Sequence, residues 1–241
     1  MPLENALAGT VQENYDLLAE FPFSIIGEYY CPVQLHLLAV PYNGDPNNKR
    51  TPVSVPDIRQ AVSHPKALEQ CSHFLEQHRR IEQVGYSDTA GAAQMVAQRG
   101  DQTVAAIASE EAAEIYNLEI IERSIQNHKT NMTRFVALAK NPFEQTRQTV
   151  ARALKCSMIF ALPHQPGSLY YLLGKIAELG FNVTKIESRP IPGRPFEYSF
   201  YVDVESSAAS TDVFEKGVEA LKEKASQLRI LGIYPAASWS V

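Results

Sequence analysis

Over the first two thirds of the chain, short apolar runs alternate with stretches in which apolar residues recur every three to four positions. The runs predict strands at 58–63, 81–86, 104–108, 120–125 and 135–139, and the helical spacings predict helices beginning near 11, 65, 90 and 110. Residues 10–13 (TVQE) have the sequence of a helix capping box. Strands that alternate with helices in this way predict a mainly parallel, open α/β sheet covered on both faces.

The pattern changes after Asn141 and Pro142, near a predicted domain boundary at 141–156. Strand patterns at 157–162, 182–187, 197–204 and 228–234 are interleaved with a helical stripe that Gly180 ends and a helix at 211–224. This order predicts a ferredoxin-like βαββαβ unit. We therefore predict two domains, at residues 1–150 and 155–236, and a surface loop in the turn-rich segment 41–48.

Composition and charge narrow the functional classes. The chain is 45% hydrophobic and 20% charged, as globular proteins are, and its net charge of -5 lacks the positive surface that nucleic acid demands. No apolar run approaches the length of a membrane span, and the first residues lack the features of a signal peptide. Three widely spaced cysteines and no metal-ligand spacing among six histidines predict a reduced, cytoplasmic protein without a metal.

Three junctions between elements carry small or hydroxyl residues, at 5–10, 63–65 and 87–91. Backbone N–H groups at a helix start can hold a carboxylate or a phosphate, yet Ser, Thr and Asp are also the preferred helix caps. Both interpretations remain open, and Asp88 disfavours an anion at the third junction. No glycine-rich phosphate loop is present, so a nucleotide cofactor is not expected.

The most distinctive polar segment, 127–135, leads into an apolar run. A hydroxyl at Thr133 beside a guanidinium at Arg134, at a strand edge, could donate a hydrogen bond and hold a carboxylate. The same two residues could also simply be the first residues of a strand, and their chemistry alone does not distinguish the two interpretations.

Taken together, these segments resemble the prephenate dehydratases. The resemblance rests on ordered motifs along essentially the whole chain: 2–6 (PLENA) with 9–10 (GT), 63–64 (SH) with 70–71 (QC), 88–93 (DTAGAA), 133–135 (TRF) after Asn131, 167–169 (GSL) and 187–190 (ESRP). It implies a two-lobed, periplasmic-binding-protein-like catalytic domain followed by an ACT regulatory domain of βαββαβ fold.

The resemblance also implies an activity, the decarboxylating dehydration of prephenate to phenylpyruvate in phenylalanine biosynthesis, without a cofactor. By analogy Thr133 stands at the leaving hydroxyl group. Substrate is then positioned by Asn5, Ser63, Thr89 and Arg134, with Glu4 supporting Asn5.

For the second domain the resemblance implies an L-phenylalanine effector site between two copies, hence a homodimer or homotetramer. The implied effector residues are His164, Gly167, Ser168, Leu169, Asn182, Glu187, Ser188, Arg189 and Pro190.

Two departures from the family pattern add alternatives. The family's catalytic domain normally begins several dozen residues earlier, with a strand and a Gly-Pro-x-Gly-Thr-type loop, so we expect a catalytic domain truncated at its N-terminus. Asp88 in place of the usual Ser resembles the arogenate dehydratases, and Ala6 replaces another Ser. The alternatives are therefore an arogenate dehydratase and a catalytically inactive, amino-acid-binding regulator.

Overall fold

The computed structural model describes residues 1–41, 53–140, 153–191, 193–206, 211–225 and 227–237. The strands are β1 (Pro2–Asn5), β2 (Gly9–Thr10), β3 (Ser24–Pro32), β4 (His36–Ala39), β5 (Gln60–Ser63), β6 (Glu82–Gly85), β7 (Val104–Ala108), β8 (Glu119–Glu122), β9 (Met132–Ala139), β10 (Leu154–Ala161), β11 (Asn182–Pro190), β12 (Tyr198–Ser206) and β13 (Gln227–Pro235). The helices are α1 (Gln12–Glu20), α2 (Pro65–Gln70), α3 (Ser72–Gln77), α4 (Thr89–Arg99), α5 (Glu110–Tyr116), α6 (Ser168–Glu178) and α7 (Thr211–Ala220).

These elements form two compact units. Unit 1 comprises Met1–Cys31 and Met132–Val241, and unit 2 comprises Pro32–Asn131. The predicted division at 1–150 and 155–236 stays a prediction. Residues 42–48 of the predicted loop and 141–152 of the predicted boundary lie outside the described residues. In the part of the chain that the structure describes, no helix is both long and apolar enough to cross a bilayer.

Unit 2 is built on a five-stranded sheet in the order β6-β5-β7-β4-β8. β5 runs parallel to β6 and β7, but β4 runs antiparallel to β7 and β8. The four predicted strands of this sheet, β5 to β8, thus all run in one direction, and the sheet is mixed only because of β4, which was not predicted. Its four residues are all buried, and a buried run this short carries no alternation by which a strand is recognised.

The helices of unit 2 follow the predicted positions with one change. The helix predicted from Pro65 is broken into α2 and α3 at Cys71, whose thiol is fully buried. α4 begins after Asp88, which caps it, and ends at Gly100 in the left-handed conformation. The caps and the apolar faces thus agree with the sequence pattern where the helices are longest.

Unit 1 contains two four-stranded sheets. The first has the order β2-β1-β9-β3, with β1 antiparallel to both β2 and β9. The second has the order β11-β12-β10-β13, in which the paired strands are antiparallel. Its six elements, β10, α6, β11, β12, α7 and β13, follow one another in the predicted βαββαβ order. The predicted last helix is shorter, because a turn of 3-10 helix replaces its end at Leu221–Lys224.

Two predictions about unit 1 were wrong in ways that affect the site. The predicted strand at 135–139 begins earlier, so Thr133 and Arg134 lie within β9 and not at its edge. The capping box at 10–13 does not form: α1 follows Val11, which makes no side-chain cap bond. Thr10 belongs to β2 instead, and its hydroxyl group hydrogen-bonds to residues of β11.

Candidate active site

The pairing of β1 with β9 brings Asn5 and Thr133 together. The two residues face each other in the antiparallel ladder, and Glu4 faces Arg134 next to them. The Nδ2 atom of Asn5 lies 3.1 Å from Oγ1 of Thr133 and donates a second bond, also of 3.1 Å, to the Met132 carbonyl. Both residues are half-buried. A ladder pair thus places an amide donor on the threonine hydroxyl group.

The other end of the Asn5 side chain is fixed by the hairpin between β1 and β2. Its Oδ1 atom accepts hydrogen bonds from the backbone N–H groups of Leu7 and Ala8, at 3.0 and 2.8 Å. These bonds assign the oxygen to the hairpin side and the amide N–H groups to the Thr133 side. Because Asn5 donates to Oγ1, the hydroxyl hydrogen of Thr133 is left to point at another acceptor.

Arg134 takes a different position from the one predicted. Its side chain is 2% exposed, and its Nε and Nη2 atoms donate to Glu28 at 2.7 Å and to the Tyr234 hydroxyl at 3.0 Å. Nη1 donates to Asp203 and to Glu4. Neighbouring residues of a strand point to opposite faces, so Arg134 faces away from the side that Thr133 presents. The predicted contact of Arg134 with a substrate carboxylate is therefore corrected: its guanidinium is already occupied by groups of the protein.

Arg134 belongs to a buried ion cluster, which we define as Arg134, Lys155, Lys185, Glu4, Glu28, Asp203 and Glu205. Glu28 bridges the first two cations, with Lys155 Nζ 2.8 Å from its Oε1 atom, and Lys155 also lies 2.9 Å from Glu205. Burial alone lowers the pKa of Arg134, but Asp203 and Glu28 outweigh it and raise the pKa above its ordinary value. Within the cluster, each cationic side chain lies within 3.1 Å of at least one carboxylate, as buried ion pairs require.

Ser63 and Thr89 belong to unit 2. Ser63 ends β5 and is fully buried, and its hydroxyl group donates a 2.6 Å hydrogen bond to the Ile107 carbonyl. The role of Ser63 as a substrate contact stays a prediction; in the structure its hydroxyl group hydrogen-bonds within the core of unit 2. Thr89 is half-buried at the first position of α4. The Asp88 carboxylate before it accepts from the Gly91 N–H group at 2.6 Å, so the helix start already holds an anion.

The residues predicted for the effector fall into separate groups. His164, Ser168 and Leu169 line a surface cavity together with Leu162, Pro163, Gln165, Glu197, Tyr198 and Phe200. Gly167 precedes α6 with a φ of 87°, a conformation that glycine adopts without strain.

The remaining effector predictions lie on β11. Glu187 accepts a 3.0 Å bond from the Thr10 hydroxyl, and Arg189 forms a two-bond ion pair with Asp16 of α1. Asn182, Ser188 and Pro190 are exposed, at alternate positions of the strand. The predicted set is thus divided between a cavity and the contact of β11 with the first 20 residues of the chain.

A family model described as prephenate dehydratase matches residues 1–143, more than half of the chain. The chain belongs to the prephenate dehydratase family.

Named relatives of this family member carry both substrate names. "Arogenate dehydratase/prephenate dehydratase 2, chloroplastic" of Arabidopsis thaliana is 38% identical over 98% of this chain and 60% of its own length. "Bifunctional chorismate mutase/prephenate dehydratase" of Enterobacter agglomerans is 34% identical over 98% of this chain and 57% of its own. The chain therefore spans about three fifths of the length of these relatives. They are dehydratases, the one named for prephenate or arogenate and the other for prephenate alone.

Solved structures of similar fold cover nearly the whole chain. A prephenate dehydratase from Arthrobacter aurescens, determined in complex with L-Phe, has a TM-score of 0.78 at 26% identity and covers 98% of this chain and 76% of its own. GqqA, described as a novel type of quorum quenching acylase, has a TM-score of 0.80 at 31% identity, with 98% and 81% coverage. The fold of this family member is thus shared by proteins described with different activities.

The sequence did not reveal most of the ion cluster of this family member. Glu28, Lys155, Lys185 and Asp203 come from four strands, and none of them belongs to a recognised motif. Asp203 gave no signal, because it stands at a polar position of a strand that alternates polar and apolar residues. One signal was present: Lys155 is the single charged residue in the mainly apolar run 154–161. A charged residue in such a run needs a buried partner, although the sequence does not identify which one.

Proposed function

We propose that the chain is a prephenate dehydratase. In this reaction the bond between the ring carbon and its carboxylate breaks, and its electron pair enters the ring as the carbon–oxygen bond to the hydroxyl group breaks. The departing hydroxide takes up one proton, so that prephenate yields phenylpyruvate, carbon dioxide and water. Aromatisation drives the reaction, and the protein has to bind a dicarboxylate, orient it and assist the leaving group.

The observation that carries this proposal is the hydrogen bond from Asn5 Nδ2 to Thr133 Oγ1. The amide occupies a lone pair of the threonine oxygen, polarises the O–H bond and directs its hydrogen outward. Thr133 then donates that hydrogen bond to the leaving hydroxyl group of the substrate. A threonine hydroxyl is a weak acid near neutral pH, so hydrogen-bond donation, with the proton supplied by solvent, fits it better than complete proton transfer.

Arogenate dehydration is the main alternative, since the relatives are named for both substrates. Arogenate carries an ammonium group where prephenate has a keto group, and its leaving hydroxyl group is the same. The pair of Asn5 and Thr133 serves both reactions equally. Asp88, which stands where the family usually has Ser, is the residue by which the chain resembles the arogenate dehydratases.

A catalytically inactive, amino-acid-binding regulator is the third candidate. The Asn5–Thr133 hydrogen bond favours an enzyme over such a regulator, because a binding protein has no need of a polarised hydroxyl group at this position. The two classes differ in whether turnover accompanies binding.

For regulation, we propose that L-phenylalanine binds at the cavity beside the start of α6 and that the effector site is completed in a homodimer or homotetramer. The cavity combines apolar groups, Leu162 and Phe200, with the first residues of an 11-residue helix, whose free N–H groups suit a carboxylate. The L-Phe complex of the Arthrobacter relative supports this ligand class.

Turnover on prephenate and on arogenate, measured side by side with the purified chain, tests the enzyme proposal. Thr133→Val keeps the shape of the side chain and removes its hydroxyl group, so we expect about a 100-fold loss of kcat, whereas Thr133→Ser keeps activity within about 10-fold. A folded chain that binds L-phenylalanine and turns over neither substrate would support the regulator.

Binding of L-phenylalanine is tested by calorimetry, with D-phenylalanine as the ligand control. Leu169→Ala removes an apolar wall of the cavity and should weaken binding about 10-fold. Lys175→Met changes the same helix away from the cavity and should leave affinity unchanged. Equal affinity in both variants would place the ligand elsewhere.

A further inference from the structure

Lys185 connects strand β11 to the hairpin that carries Asn5. Its Nζ atom lies 2.6 Å from Oε2 of Glu4 on β1 and 3.0 Å from Oγ1 of Thr10 on β2. It also lies 5.4 Å from the ring centroid of Tyr15 on α1. The side chain is only 10% exposed. A cation buried to this extent is held by its partners, and here every one of these partners belongs to the first 15 residues of the chain.

Glu4 relays this contact to the Thr133 site. Its Oε2 atom receives Lys185, and its Oε1 atom receives Arg134 at 3.1 Å. Glu4 faces Arg134 in the ladder, immediately beside the pair of Asn5 and Thr133. The ladder is irregular between Pro2 and Glu4, so the preceding residues do not by themselves impose the register at Asn5. The two ion pairs of Glu4 therefore help to fix it.

The charge on Glu4 is maintained by its partners. Burial raises the pKa of this carboxyl group, but the hydrogen bonds and charges of Lys185 and Arg134 lower it below its usual range. Glu4 is therefore a carboxylate at neutral pH and keeps both ion pairs.

Lys185 also holds β2, the second strand of the hairpin, at the position that faces Glu4. Thr10 faces Glu4 in the pairing of β1 with β2. The Thr10 hydroxyl group accepts from Lys185 and donates to Glu187 at 3.0 Å. Without the lysine charge, Thr10 keeps only its bond to Glu187, and Glu4 keeps only Arg134, which is already shared with Glu28 and Asp203. The hairpin then loses the cation that fastens it to β11.

We propose that Lys185 is a positioning residue for Thr133: by holding Glu4 and Thr10 it fixes the β1–β2 hairpin, and with it the Asn5 amide, against the threonine hydroxyl group. The inference rests on the proposed dehydratase function. The Nζ atom of Lys185 is engaged by Glu4 and Thr10, so its effect falls on the alignment of Thr133 and therefore on kcat more than on KM.

The kinetic test compares Lys185→Met, which keeps the apolar stem and removes the charge, with Lys185→Arg, which keeps the charge. For Lys185→Met we expect kcat to fall about 10-fold with KM changed less than about 3-fold, and for Lys185→Arg we expect most of kcat to return. Lys222→Met removes an exposed lysine that pairs with Glu219 and serves as the matched control. In a Glu4→Gln background, Lys185→Met should cost less than about 2-fold, because the two residues act in one chain of contacts.

Hydrogen exchange provides a readout that does not depend on turnover. The Ala6 and Val11 N–H groups donate to the Met132 and Leu3 carbonyls, both at 2.8 Å, and report whether the hairpin is closed. Exchange of the peptide spanning residues 3–11 should rise about 10-fold in Lys185→Met and stay unchanged in Lys222→Met.

The outcomes separate this inference from the proposed function. Unchanged exchange in Lys185→Met overturns the inference, and so does an unchanged kcat in a parent chain that turns over substrate. Additive losses in the Glu4→Gln background also overturn it. A parent chain that turns over neither substrate defeats the dehydratase proposal alone, and faster exchange in Lys185→Met then still supports the positioning of the hairpin.

Discussion

The Arg134 guanidinium donates to the Asp203 carboxylate across two sheets of unit 1, from β9 to β12. Both side chains are almost fully buried. The residue next to Thr133 is thereby tied to the centre of the βαββαβ sheet, where β12 pairs with both β10 and β11. A buried ion pair of this kind contributes to stability only while both partners are present, because removing one leaves the other charged and without water around it.

Asp203→Asn should therefore lower the free energy of unfolding by about 3–5 kcal/mol. The measurement is equilibrium unfolding in urea at neutral pH. Glu178→Gln, which removes an exposed partner of Lys175 on α6, should change stability by less than about 1 kcal/mol. Similar losses of unfolding free energy in Asp203→Asn and Glu178→Gln would show that the buried pair of Arg134 and Asp203 contributes no more than an exposed pair.

Gly232 and Gly174 of the βαββαβ unit have very different surroundings. One methyl group added at each should therefore have opposite effects on stability. A Cβ atom at Gly232 would overlap the Ile25 carbonyl group of β3, whereas a Cβ atom at Gly174 in α6 meets nothing within 4 Å. Gly232→Ala should cost about 3 kcal/mol, the upper end for overpacking. Gly174→Ala should gain about 0.5–1 kcal/mol, because glycine weakens a helix interior. Thermal unfolding of both variants tests the sign as well as the size, and a neutral Gly232→Ala would contradict the close approach.

Asn5→Asp tests the direction of the hydrogen bond to Thr133. An aspartate keeps the acceptor for the Leu7 and Ala8 N–H groups but can no longer donate to Thr133. The threonine hydroxyl group then donates to the aspartate and not to the substrate. We expect kcat to fall about 100-fold while the fold is retained.

The control for that experiment is Asn117→Asp, which makes the same change of charge at the end of α5 in unit 2. Its kcat should match that of the parent chain. Full activity in Asn5→Asp would remove Asn5 from the proposed mechanism.

His36 of unit 2 predicts a dependence of stability on pH. Its ring is almost fully buried, its Nδ1 atom accepts a 2.9 Å hydrogen bond from the Ser124 N–H group, and among the described residues its Nε2 atom has no partner. Burial lowers the pKa of His36 below its ordinary value of 6.5. The unfolded chain then binds the proton more tightly than the folded chain, so stability falls as the pH is lowered through 6.5 towards the folded pKa.

Urea unfolding between about pH 5 and pH 7.5 measures this loss, which a single proton limits to about 1.4 kcal/mol per pH unit. In His36→Asn the amide oxygen can accept from Ser124 without titrating, so the difference between the two pH profiles isolates the histidine. Parallel profiles would show that His36 does not contribute.

Much of the fold follows from local pattern. Strand β7, five buried residues in succession, and helix α5, capped by Ser109, lie where the apolar run and the cap place them. The βαββαβ order follows in the same way from the period-two and period-3.6 segments. Strand β3 was not predicted, because Gly27 and Glu28 interrupt its apolar positions. Glu28 is a buried strand residue only because Arg134 and Lys155 neutralise it, and that reason lies outside the strand.

The candidate site likewise contains one contact between recognised motifs and others that no motif indicates. The contact of Asn5 with Thr133 joins two segments that carry motifs, whereas the position of Arg134 depends on Glu28, Asp203 and Tyr234, which carry none. From the sequence, a guanidinium beside a hydroxyl group that is proposed to be catalytic is equally consistent with a group that binds substrate and with a structural ion, until its partners are located. Ion pairs between distant strands leave no periodic pattern in the sequence. No local segment could therefore have shown which of the two roles Arg134 has.

The order in which the strands are synthesised bears on how the site forms. Asn5 and Thr133 are 128 residues apart, and all of unit 2 lies between them. Asp203 and Tyr234, which contact Arg134, follow it in the sequence by a further 69 and 100 residues. Contacts so distant in sequence close late and slowly, after locally connected parts have collapsed. The segment that forms unit 2 is therefore complete before β9 can pair with β1, and the buried contacts of Arg134, next to Thr133, are completed only when β13 has been made.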